Sequence, residues 1–189
     1  MLRALIILVG GLVLGLWSAE AALRNGSPFG VAAAGPWRLA TRAGAADADP
    51  YTRAALARGG EIPLALGEGL QLTARVDDDG AKLNPRCVYT VGPRVPPARF
   101  WTLEIASREG YPMPNAAGRT VFRSGELLRA ANGDFEIVVG AAAEPGNWLP
   151  VGRPEGFQLV LRLYDTPLTA IGDEVQKSAA PHVKRLACP

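Results

Sequence analysis

Hydrolysis through an activated serine needs a base beside the nucleophile, and the one histidine of this chain, His182, lies in a Pro-containing C-terminal tail. A Ser-His-Asp triad therefore has no support. The chain carries no GxSxG elbow, no GxxxxGK[ST] phosphate loop and no GxGxxG after a strand, and neither HxxxH nor CxxC spacing for zinc. No cofactor and no metal site is expected from this inventory. Asp77-Asp78-Asp79-Gly80 resembles part of a calcium loop, but Asn84 and Pro85 follow where the alternating ligands of an EF-hand should continue. We read it as a solvated hairpin turn.

Carboxylates, aromatics and arginines remain. Glu68, Glu104 and Glu136 lie on or beside strand-like segments, and two of them facing one cleft would serve as acid and base in glycoside chemistry. Their separation is not readable from sequence. Trp101, Tyr111, Trp148 and Tyr164, with Arg119, Arg123 and Arg162, accompany the same segments. A concave sheet face lined by Arg162, Tyr164, Trp148 and Arg119 would suit a sugar or an anionic small molecule. The competing reading, which we favour, puts the tryptophans in the core and the arginines in ion pairs.

The elements that would position these residues are mostly strands. From Phe157, residues 157, 159, 161 and 163 are Phe, Leu, Leu and Leu, while Gln158, Val160, Arg162 and Tyr164 fall on the opposite face. This alternation predicts a half-buried strand. Asn147-Trp148-Leu149-Pro150 before it reads as a turn. Leu70, Leu72, Ala74 and Val76 alternate in the same way before the aspartate turn. Further strands are expected over about 87–91, over 99–107 with Trp101, Leu103 and Ile105 on one face, over 119–122, and over 135–139 after Asn132-Gly133. Ser124 to Ala130 is expected to form one helical turn. Asp49, Pro50 and Gly59 supply an N-cap, a first helical residue and a stop, so a short helix belongs there. Short strands divided by Gly, Pro, Asn and Asp turns argue an all-β fold, an antiparallel β-sandwich or jelly roll with one short helix.

The N-terminus decides the compartment. Met1-Leu2-Arg3 precedes an apolar or small-residue run from Ala4 to Ala19, broken by Glu20. Sixteen residues fall short of the roughly 20 that span a bilayer as a helix, and Ala19-Glu20-Ala21 matches a small-x-small cleavage pattern. An uncleaved anchor would instead extend across Glu20 to Leu23 by snorkelling. We read residues 1–23 as a signal anchor or signal peptide with a lean to the anchor, 24–48 as an extended linker with Trp37 and Leu39 docked on the domain, and 49–189 as the β-domain. Gly11 and Gly15 form a GxxxG pair that could bring two such helices together.

Everything after about Leu23 is expected outside the cytoplasm, at the inner membrane or in the periplasm. Cys87 and Cys188 would then form a disulfide, closing a loop of about 100 residues worth roughly 4 to 5 kcal/mol in the chain-entropy model. The 20 basic and 18 acidic residues give a net charge of +2 and form no clustered basic patch, so nucleic acid is not an expected partner.

Six segments taken in order resemble a known family: Asp49-Pro-Tyr-Thr-Arg-Ala, Asn84-Pro-Arg-Cys-Val-Tyr, Pro97-Ala-Arg-Phe-Trp-Thr-Leu, Asn132-Gly-Asp-Phe-Glu-Ile, Asn147-Trp-Leu-Pro and Leu161-Arg-Leu-Tyr. Together they are similar to the domain-of-unknown-function 1214 (DUF1214) family, in its short membrane-associated bacterial form without the DUF1254 domain of longer relatives. The resemblance covers roughly 37–189. It implies a jelly-roll-like sandwich outside the cytoplasm of a Gram-negative bacterium, and it transfers no catalytic residue. Three functions are therefore weighed: a non-catalytic envelope or ligand-binding domain, an enzyme acting on a small or carbohydrate-like substrate, and a subunit partnering a separate DUF1254-type protein.

Overall fold

A computed structural model describes residues 2–24, 31–59, 62–152, 156–170 and 180–188. The chain begins with an apolar helix, α1 (Leu2–Arg24), whose side chains lie outside the core. A hairpin follows, β1 (Val31–Ala34) and β2 (Trp37–Ala40), and then a second helix, α2 (Pro50–Gly59). The remaining strands are β3 (Gly69–Ala74), β4 (Val88–Gly92), β5 (Phe100–Ser107), β6 (Val121–Arg123), β7 (Ile137–Gly140), β8 (Asn147–Pro150), β9 (Phe157–Tyr164) and β10 (His182–Ala187). They form a six-stranded sheet ordered β1-β2-β3-β9-β5-β6 and a four-stranded sheet ordered β10-β4-β7-β8.

Register explains why the six-stranded sheet forms. Leu39 pairs with Leu72, Leu72 with Leu161, Leu161 with Leu103, and Leu103 with Phe122. All five are buried. One apolar row thus crosses five strands, and a shift of one residue in any strand would turn its member of the row to the other face. Parallel rows come from Trp37, Ala74, Leu159 and Ile105, and from Leu70, Leu163 and Trp101. The four-stranded sheet turns Val183, Val91, Ile137, Tyr89, Val139 and Leu149 inward, all at or below 1% exposure. The two layers meet through Trp101 against Phe135, ring centroids 5.1 Å apart, and Tyr89 edge-on to Phe157 at 6.0 Å. This is a sandwich-like all-β fold with two α-helices among the described residues, and its strand pairing there is antiparallel except for β7 and β8, which run parallel.

Several expectations differ from this architecture. Residues 31–40, expected within an extended linker, form the β1-β2 hairpin, and Trp37 and Leu39 are core residues rather than surface dockings. The Trp37 indole N–H donates to the Pro181 carbonyl at 2.6 Å, which lets a large polar-tipped ring sit fully buried. Asn147–Pro150 is strand β8 and not a turn, since pairing with β7 outweighs the turn propensity of Asn and Pro. Ser124–Ala130 forms a turn and an isolated bridge, Arg129 to Phe135, in place of a helical turn. Asn147 holds that segment: its amide exchanges hydrogen bonds with the Leu128 backbone at 2.8 and 2.9 Å. β9 is more than half-buried, because Gln158 and Val160 on its second face are buried too.

The short helix sits where its caps predict. The Asp49 carboxylate accepts from the backbone N–H groups of Tyr51 and Thr52 at 2.9 and 3.0 Å, so it satisfies two of the donors that a helix start leaves unpaired.

Candidate functional site

Period-two alternation on β3, β9 and β5 sends one set of side chains to the core and the other to the outer face of the six-stranded sheet. Register then decides which outer residues meet. Gln71 lies opposite Arg162, and Glu104 lies opposite Val160, one step diagonally from Arg162. The Arg162 Nε donates to Gln71 Oε1 at 3.0 Å, and its Nη1 donates to the Glu104 carboxylate. The two charged side chains keep 28% and 19% of their exposure, so water screens this pair only in part. Further along β9 the buried Gln158 accepts from Arg75 Nε at 2.8 Å. Gln71, Arg162 and Glu104, one from each of β3, β9 and β5, therefore form a closed polar network, and the Arg75–Gln158 pair stands apart from it along β9.

That closure limits its chemistry. The charge of Arg162 is balanced by Glu104, and Glu104 has a guanidinium as its close neighbour where acid-base glycoside cleavage needs a second carboxylate. Glu68 stands just before β3 at the Tyr164 end of β9, four residues along from Val160, or about 13 Å at strand rise. Glu136 stands just before β7, in the other sheet. The three glutamates considered from sequence do not share one cleft.

Of the four residues of the candidate ligand face, Arg162 and Tyr164 share the outer face of the six-stranded sheet. Tyr164 packs on Phe100, ring centroids 5.7 Å apart. Trp148 lies on the outer face of the four-stranded sheet, beside Val138, and its indole N–H donates to the Gly140 carbonyl at 3.0 Å. Arg119 precedes the edge strand β6, its guanidinium 4.5 Å from the Phe122 ring centroid and 3.8 Å from the Glu126 carboxylate. The fold thus spreads these residues over two opposite faces and an edge.

A cluster not anticipated from sequence joins the aspartate turn to the C-terminus. Asp77 is buried at 1% exposure, and its carboxylate accepts from Ala81 N at 2.9 Å, Asp79 N at 3.2 Å and Arg185 Nε at 2.8 Å. A buried carboxylate with several donors and a guanidinium is a structural clamp, which corrects the reading of this turn as merely solvated. The opposing guanidinium is itself held further into its charged form, chiefly through its hydrogen bond to Asp77. Asp78 N donates to Val183 O at 2.9 Å, and the Asp78 carboxylate accepts Val183 N at 3.1 Å. His182 Nδ1 stands 3.5 Å from Asp78. One residue beyond β10, Cys188 is joined to Cys87 by a disulfide. The Asp-Asp-Asp-Gly run was the visible signal, but its partner Arg185 lies more than a hundred residues away in sequence. Among the described residues, no group of three or more His, Cys, Asp or Glu side chains is placed to hold a metal ion.

With the sheets and their clamp in place, comparison with protein families is decisive over 68–168, which is more than half of the 189 residues: this span matches the model described as protein of unknown function DUF1214. The chain belongs to the DUF1214 family. The DUF1214 match runs from just before β3 through β9 to the turn that follows it, so it takes in the whole Arg162 network. Among solved structures, the chain is similar to the VPA0106 protein from Vibrio parahaemolyticus, with a TM-score of 0.58 and 22% identity over 73% of this chain and 36% of that one. At that identity the likeness is one of fold. It is also similar to an uncharacterised protein from Burkholderia cenocepacia, at a TM-score of 0.43 and 18% identity over 97% of this chain and 52% of that one, too distant to carry an argument. This DUF1214 chain therefore spans about a third of the length of the Vibrio protein and about half that of the Burkholderia protein. A comparison with curated proteins finds no match.

Proposed function

We propose that this protein is a β-sandwich held at the inner membrane by α1, with its sheets on the periplasmic side, where it serves as a non-catalytic envelope or ligand-binding domain. The observation that carries this reading is α1. Its apolar stretch, Leu2–Leu23, is 22 residues long with none of it buried inside the protein. At 1.5 Å per residue it reaches about 33 Å, enough for a hydrocarbon core of about 30 Å. The Cys87–Cys188 disulfide supports the oxidising side. The neutralised Arg162–Glu104 pair supports a structural or binding role over acid-base catalysis on that face.

The test is direct. Native membranes washed with alkaline carbonate should retain the protein at the mass of the full chain, with no thiol reactive to an alkylating reagent until a reductant is added. A soluble product beginning near residue 22 would make the leader a signal peptide. Two free thiols before reduction would place the domain in the wrong compartment.

A second reading, which rests on the resemblance to longer DUF1214 relatives alone, has the domain act beside a separate DUF1254-type protein. Purification from native membranes in mild detergent should then bring down a DUF1254-type protein in fixed ratio. Recovery of the chain without one removes this reading.

A further inference from the structure

The single acidic residue of α1 is Glu20, inside the Ala19-Glu20-Ala21 pattern. Its carboxylate, though partly exposed, has a charged partner. Arg58, in the last turn of α2, donates to it through both terminal nitrogens, Nη1 at 2.6 Å and Nη2 at 2.9 Å. A forked, two-bond pairing fixes orientation as well as charge. Glu20 lies three residues before the end of the apolar stretch at Leu23, about 5 Å along the helix, which is headgroup depth if α1 spans. An unpaired carboxylate there is costly, and a partner arginine relieves the cost.

The surface around α2 has a matching character. Among the described residues outside α1, the exposed large apolar side chains are Val31, Tyr51, Ile62, Leu66, Tyr111, Leu128 and Leu186. The first four fall within 31–66, the stretch that holds α2, and Ile62 is 93% exposed. The segment after α2 packs back on the segment before it, with Gly44 against the Leu64 carbonyl. Arg42, Arg53 and Arg58 are exposed along the same stretch, Arg42 also paired with Asp47 and Arg58 with Glu20. Apolar and aromatic tips interleaved with arginines suit a lipid headgroup layer, where rings sit at the interface and guanidinium groups meet phosphates.

We infer that α1 and α2 form a bracket at the membrane surface: Glu20 and Arg58 lock α2 to the outer end of the anchor, and α2 with the 62–66 segment rests on the lipid headgroups, with Tyr51 and Ile62 dipping into them. The inference rests on α1 being a retained anchor, and it gives a reason for retention. Cleavage after Ala21 would remove the partner of Arg58.

The experiment uses the full chain in vesicles of phosphatidylethanolamine and phosphatidylglycerol. Ile62→Cys and, separately, Leu128→Cys are labelled with a polarity-sensitive fluorophore, the native cysteines being occupied by their disulfide. Leu128 follows β6, at the sheet edge opposite β1, and serves as the reference. The label at 62 should emit further to the blue and be quenched by spin-labelled lipid, and the label at 128 should show neither effect. Glu20→Arg should abolish the shift at 62, and adding Arg58→Glu should restore it. A label at 62 that behaves like the one at 128, or one indifferent to Glu20→Arg, overturns the bracket while the anchor stands. A mature chain whose mass lacks α1 overturns the anchor itself, so the two failures are distinguishable.

Discussion

In the six-stranded sheet, five strands each give one residue to the row Leu39, Leu72, Leu161, Leu103 and Phe122, whereas β10, the edge of the four-stranded sheet, buries Val183 alone among its six residues. Edge strands with so little apolar contact are ordinarily the first to open. β10 is held otherwise: by the Asp77–Arg185 pair, by the two hydrogen bonds between Asp78 and Val183, and by the disulfide at Cys188. Hydrophobic register organises the six-stranded sheet throughout, and covalent and charged fastening closes the β10 edge of the other. The contrast teaches where substitutions should hurt and by which mechanism.

The largest effect is expected at the centre of the row. Leu161→Ala removes a fully buried side chain flanked by buried leucines on both sides, and should cost about 4 kcal/mol in urea unfolding through lost transfer energy and the cavity left behind. A cost below 1 kcal/mol would mean that the row is not what holds the sheet. Next comes the covalent fastening. Cys188→Ser should cost about 3 kcal/mol, since the cross-link constrains a long loop of the unfolded chain. Equal stability of oxidised wild type and variant would shift the weight onto the charged clamp. Arg185→Met leaves Asp77 buried with its two backbone donors but without a counter-charge, and should cost about 2 kcal/mol. Hydrogen exchange sharpens the contrast: Arg185→Met should speed exchange in β10 and β4 first, and leave β9 protected. Faster exchange throughout the molecule would erase the distinction between the sheets.

The same contrast explains what was legible in the sequence. β3, β5 and β9 were readable because their leucines and aromatics alternate with polar residues, the direct imprint of a sheet with one core face. α2 was readable because Asp49 and Pro50 carry the chemistry of a helix start. β8 was not, since Asn147 and Pro150 have turn chemistry and only the parallel pairing with β7 makes them a strand. The β1-β2 hairpin was hidden by an Ala- and Gly-rich composition that also describes a linker. The candidate face was partly legible: alternation showed that Arg162 and Tyr164 turn away from the leucine row, but not that Trp148 belongs to the other sheet. That Gln71, Arg162 and Glu104 meet follows from cross-strand register, which no local pattern encodes.

The smallest expected effect concerns acid, and it separates the loops from both sheets. Several exposed or half-buried loop carboxylates are held below their ordinary values. Asp134 is lowered chiefly by its hydrogen bond from Arg94, Glu126 by its hydrogen bond from Arg123, and Glu109 by the Ser107 hydroxyl. A carboxylate whose folded value is depressed adds stability that is complete above its unfolded value and is lost as pH falls through the folded one. The unfolded values are 3.8 for Asp134 and 4.5 for Glu126 and Glu109. These groups should therefore leave stability flat between about pH 6 and 8 and withdraw their support only below about pH 4. Because solvent screens each pair, the loss should be modest. Asp134 and Glu126 lie between β6 and β7, and Glu109 lies in the turn after β5. Hydrogen exchange near pH 3.5 should accordingly show these turns opening before the leucine row, once rates are corrected for the intrinsic effect of pH. Simultaneous opening of the row and the turns would mean that the loops and the six-stranded sheet form a single cooperative unit.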